Sequence, residues 1–161
     1  MNTELTTGSW SSLANQERAT LFSRLMIRVD QVLSTHMVTH LLPEELDTYL
    51  PGAIQWMEAK LEPAGEEVAR QAIDYACSIL RCKKPGDAEL KGYVSLMKTY
   101  PRELLLESIG KALEIETHHV LPTPGALLRH ARERFLERSE KMMRAKHALT
   151  RLEISRRWKR A

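Results

Sequence analysis

Five residues near the end of the chain, Arg156-Arg157-Trp158-Lys159-Arg160, are the types best suited to gripping a phosphate or an acidic surface. Guanidinium groups match phosphate and carboxylate oxygens in pairs, and an indole offers a face for a base or an apolar pocket. These five close a segment, residues 124–161, with twelve basic and four acidic residues, a net charge of +8. Residues 1–123 sum to −5, so the whole-chain value of +3 conceals a strong asymmetry. Arg129, Arg132, Arg144 and Arg151 extend the cationic set back along the segment. Three readings stay open for it. It contacts phosphates of DNA or RNA, it fits an acidic groove on a protein, or it is a solvated face that serves solubility.

Other reactive residue types are sparse. There is no phosphate-cradling glycine loop, no nucleophile elbow and no HExxH zinc signature. His36 and His40 lie at i,i+4 spacing, which suits two metal ligands, but no carboxylate nearby completes a set of three or four. His118 and His119 adjoin Glu116 in a connector, where neighbouring side chains point apart. Cys77 and Cys82, read as one continuous helix, fall on different faces and behave as idle or buried thiols of a reducing compartment. Glu44-Glu45 and Glu66-Glu67 stand at helix starts, where the helix dipole accounts for them. The expectation is a binding protein with no catalytic residue, no metal and no cofactor.

These residues must be carried by helices. Apolar positions recur three and four apart almost throughout, and no β-branched alternation supports a strand. The first helix follows a cap at Ser11 or Ser12 and presents Leu21, Phe22, Leu25, Met26, Val29, Val32 and Leu33. A second starts at Pro43, breaks at Leu50-Pro51-Gly52 and resumes to about Lys60. A turn at Glu62-Pro63-Ala64-Gly65 precedes a third helix, Glu66 to Arg81, with Val68, Ile73, Ala76, Ile79 and Leu80 inward. A fourth spans about Ala88 to Lys98, and a fifth starts at Tyr100-Pro101. The fold class is therefore all-α. An acidic bundle of about five helices, residues 1–123, is followed by a long basic helix, residues 124–161.

That last helix has its own punctuation and pattern. Thr123 is a good N-cap and Pro124 a good first residue, and Leu121 can staple onto Leu127 or Leu128. Leu128, Phe135, Met142 and Leu149 repeat every seven residues, with Ala131, Arg138, Ala145 and Leu152 at plus three. The seam of Leu128, Phe135, Met142, Leu149 and Leu152 should pack on the body or pair two copies as a homodimer. Arg138 is its flaw. Helix to Trp158 would be about 50 Å long at 1.5 Å per residue. The N-terminus carries no basic, apolar leader and no stretch is long and apolar enough to span a membrane, so a cytoplasmic protein without membrane contact is expected.

Residues Tyr93 to Glu137 carry a recognisable order of parts. Tyr100-Pro101-Arg102-Glu103 opens a helix, Leu104 to Glu116 continues it, His118-His119-Val120 connects, and Leu121-Pro122-Thr123-Pro124 opens the basic helix. This order resembles small replication-associated proteins of phages and prophages, including the phage replicative-helicase loaders. The resemblance implies a small helical accessory protein of DNA replication that loads or modulates a replicative helicase, or acts on another nucleic-acid-processing protein. Without a nucleotide-binding loop it would act without ATP hydrolysis. The alternatives are a direct DNA- or RNA-binding regulator, a packaging subunit, and a phage anti-defence inhibitor of a host nucleoprotein complex. In each, Arg129, Arg132, Arg144, Arg151, Arg156, Arg157, Trp158, Lys159 and Arg160 meet the partner.

Overall fold

Among the described residues, apolar positions at helical spacing build six α-helices and there is no strand. The computed structural model describes residues 10–34, 44–115 and 119–160, apart from the side chains of Glu44, Glu45 and Lys159. A 3₁₀ turn, Trp10–Ser12, leads into α1 (Asn15–Ser34) and α2 (Glu44–Ala59). Then come α3 (Glu66–Leu80), α4 (Asp87–Met97), α5 (Arg102–Ile115) and the long α6 (Pro124–Arg160). The all-α reading and the long C-terminal helix hold. His36, His40, Pro43, Glu116 and His118 lie outside the described residues.

The chain clusters into two compact units. One comprises the described residues up to Ala59 with those from Glu140 onward, and the other is Lys60–Ser139. α6 contributes residues to both.

In the first unit, α1 buries Leu21, Phe22, Leu25, Met26, Val29 and Val32. α2 supplies Leu46, Tyr49, Leu50, Ala53, Ile54 and Met57, and α6 supplies Ala145, Ala148 and Leu152. Ser11 and Ser12 precede the first turn of α1. Both lie in the 3₁₀ turn, and the Glu17 carboxylate accepts from the Ala14 backbone N–H at 2.7 Å. The break expected at Pro51 is absent, since α2 is continuous through it. A proline costs one ladder bond. Here the buried face on both sides of it, Leu46 to Met57, holds the helix together. Gly52 has a packing role. A Cβ there would come within 2.6 Å of the Trp10 Cβ, so the bare backbone lets Trp10 lie against α2. Trp56 receives Trp10 edge-on at 5.7 Å and Phe22 at 5.9 Å.

In the second unit, α3 turns Ala69, Ala72, Ile73, Ala76 and Cys77 inward against Tyr93, Val94 and Met97 of α4 and Leu104, Leu105 and Ile109 of α5. Ile79, expected on that face, is 55% exposed, because the small alanines set the contact line one position over. The predicted turn before α3 is present. Gly65 adopts φ 85°, a conformation that favours glycine, and its N–H donates to the Lys98 carbonyl at 3.1 Å. The start of α6 completes this core with Leu127, Leu128 and Ala131.

Candidate functional site

α6 begins where its sequence predicts. The Thr123 hydroxyl accepts from the Ala126 N–H at 3.4 Å, and Leu121 packs on the core that holds Leu127 and Leu128. The Tyr93 hydroxyl donates to the Pro122 carbonyl at 2.9 Å, fixing the approach to the helix. One turn in, the buried Ser108 hydroxyl of α5 donates to the Leu127 carbonyl at 2.6 Å and accepts from the Ala131 N–H at 3.0 Å. Those two backbone groups are four apart and would ordinarily bond each other. Ser108 therefore bridges a rung of α6 from a neighbouring helix.

The heptad seam is covered by the chain itself. Leu128, Ala131, Ala145 and Leu152 are buried, and Phe135, Met142 and Leu149 are partly buried. Phe135 meets the edge of Tyr100 at 5.7 Å. The apparent flaw, Arg138, has a partner. Its guanidinium holds Glu103 in a two-pronged bond at 3.1 and 3.3 Å, and its side chain is only 13% exposed. That hydrogen bond is the main reason the Glu103 carboxyl sits below the ordinary glutamate value. With these residues packed intramolecularly, the seam that suggested a homodimer is not a free surface.

Several cations expected to meet a partner are engaged within the chain. Arg144 pairs with Asp30 of α1 at 3.3 Å, and Arg156 pairs with Asp47 of α2. Lys146, outside that expected set, pairs with Glu58. Arg151 donates to the Val32 and Leu33 carbonyls at 3.0 and 2.9 Å, placing a cation on the C-terminal end of α1. Charge alone could not separate these from free arginines, because their acidic and carbonyl partners lie about a hundred residues away in sequence.

What remains at the surface is more selective. In the second unit Arg129 and Arg132 are exposed. In the first, Arg157 and Arg160 are exposed, and Trp158 is 79% exposed. Met143, His147, Thr150, Ile154 and Trp158 are all exposed and spaced four, three, four and four apart. They form one stripe down α6, opposite Ala145, Ala148 and Leu152. Arg157 flanks it. Sequence reading missed this stripe because the buried heptad seam absorbed the periodic signal. Its own apolar members, Met143, Ile154 and Trp158, are interrupted by polar ones.

A second feature lies on the other half of α6. A groove of about 290 Å³ runs between α5 and α6, lined by Lys111, Ala112, Ile115, Ala126, Arg129 and His130. His130 contacts Glu107 through Nε2 at 2.8 Å and Lys111 through Nδ1 at 3.4 Å. The hydrogen bond to His130 holds Glu107 below the ordinary glutamate value. Glu107 and His130 are 23 residues apart on different helices, so no sequence motif joins them. Among the described residues no cluster of three His, Cys, Asp or Glu could hold a metal ion. No helix among them is long and apolar enough to cross a membrane.

No protein-family model, curated protein or solved structure matches the chain.

Proposed function

We propose that the chain is a non-enzymatic phage or prophage accessory protein of DNA replication, binding a replicative helicase through the exposed side of α6. The observation that carries this reading is the stripe of Met143, Ile154 and Trp158 with Arg157 beside it. A row of large apolar side chains at helical spacing, ending in Trp and Arg, suits a protein groove better than a phosphate backbone. The engagement of Arg144, Lys146, Arg151 and Arg156 within the chain supports the same choice, since it lowers the density of cations left for phosphates. The order of parts from Tyr93 to Glu137 supports the helicase-loader assignment by resemblance.

The test is co-elution of the full chain with a purified bacterial hexameric replicative helicase, compared with the triple variant Arg157→Ala, Trp158→Ala, Arg160→Ala. The expected result is a complex that the triple variant loses while keeping its helical circular dichroism. Equal complex formation by both chains would refute the role of the stripe. A second reading, direct DNA or RNA binding, is favoured by Trp158 between exposed arginines, which suits base stacking. It would be recognised by affinity for duplex DNA that falls steeply with salt, at a log–log slope of about 0.9 per phosphate contact.

A further inference from the structure

The two cysteines do not lie on different faces of one helix. α3 stops at Leu80, and Arg81 follows in the left-handed conformation, φ 53° and ψ 37°. The Arg81 N–H then returns to the Ser78 carbonyl at 3.3 Å, and the Cys82 N–H to the Cys77 carbonyl at 3.1 Å. This pair of bonds is a Schellman motif, which folds the residue after the left-handed position back over the helix's last turn. An apolar contact ordinarily joins those two positions. Here both are cysteines, and Cys82 packs against the core cluster that contains Cys77.

We propose that Cys77 and Cys82 form a reversible dithiol–disulfide site, oxidised by small disulfides such as glutathione disulfide. The two thiols differ in access. Cys77 is buried in the core of its unit, whereas Cys82 is partly exposed and lines a hollow of about 390 Å³ with Lys83, Lys84, Glu89 and His119. The oxidant therefore meets Cys82. Its thiolate attacks one sulfur of glutathione disulfide, and one glutathione thiolate leaves with the pair of electrons from the broken S–S bond. Cys77, after losing its proton to solvent, attacks the Cys82 sulfur and expels the second glutathione thiolate. The protein loses two electrons and two protons, and two glutathione molecules are formed. Burial pushes the Cys77 thiol up to about 11, which makes it a slow attacker and a poor leaving group. Reduction through the accessible Cys82 sulfur must expel Cys77, so the disulfide, once formed, should open slowly.

The full-length chain treated with excess glutathione disulfide should lose about 2 Da and both titratable thiols while remaining a single chain. Trypsin cuts after Arg81, so a non-reducing digest should yield residues 71–81 joined to Cys82-Lys83. Cys77→Ala should instead retain one glutathione on Cys82, and Cys82→Ala should leave Cys77 unreacted. Dithiothreitol should reduce the wild-type disulfide at least about tenfold more slowly than the mixed disulfide of Cys77→Ala, reflecting the poorer leaving group. Two glutathiones on the wild-type chain, chain-to-chain dimers, or thiols that react only after unfolding in urea would each overturn the proposal.

Discussion

Ser108→Ala isolates the contact by which α5 enters the hydrogen-bond ladder of α6. The hydroxyl is buried, donates to Leu127 and accepts from Ala131. Its removal leaves two buried backbone groups without this bridge. At about 0.5–1.5 kcal/mol net per hydrogen bond, the loss comes to about 1–3 kcal/mol. The void is a single oxygen, so packing adds little. For a chain of this size, a loss near the middle of that range lowers Tm by about 4–8 °C. Urea melts followed by circular dichroism give the free energy, and amide exchange at Ala131 gives the location. The expected pattern is a loss within the stated range with faster exchange at Ala131. Leu127 and Ala131 can also bond each other directly, as residues four apart in any α-helix do. A loss below about 0.5 kcal/mol with unchanged Ala131 exchange would show that α6 satisfies both groups without Ser108, and would refute the contribution assigned to its hydroxyl.

Phe135→Ala should destabilise the fold by about 2–3 kcal/mol, less than for a fully buried ring, because the side chain is only partly covered and rests edge-on against Tyr100. A loss under about 1 kcal/mol in the same melts would show that the ring contributes only surface. Acid should weaken Lys60–Ser139 through two carboxylates. Glu103 and Glu107 both titrate below the ordinary value of 4.5 in the folded chain, so their contributions are complete above that value and fade as pH falls through the lowered folded values. Melting temperatures of the wild type should drop below about pH 4.5 more steeply than those of the Glu103→Gln, Glu107→Gln double variant. Parallel pH profiles would count against both ion pairs.

Much of the architecture is local physics. Three- and four-residue apolar spacing makes helices regardless of context, and Thr123-Pro124, Gly65 and the acid-rich helix starts mark ends through bonds within a few residues. The class, the positions of α3 to α6, and the burial of Leu128, Ala131, Ala145 and Leu152 were therefore readable from sequence. Pro51 reads locally as a helix break, and the burial that offsets its cost is supplied by contacts the local sequence does not show. The relation of the two cysteines is illegible in sequence for a related reason. One residue in the left-handed conformation, Arg81, changes which side chains meet, and arginine does not advertise that conformation as glycine would.

The basic helix shows the same boundary at the scale of function. Sequence by itself determined that residues 124–161 form a helix with a large positive excess and an apolar seam, because charge and period are sums over neighbouring residues. Only the tertiary structure decided which cations are free. Asp30, Asp47, Glu58 and the carbonyl end of α1 take up Arg144, Arg156, Lys146 and Arg151. Arg129, Arg132, Arg157 and Arg160 stay at the surface, with Trp158 exposed beside the last two. An ion pair between distant helices depends on where the packed cores bring those helices, and no spacing along α6 encodes that.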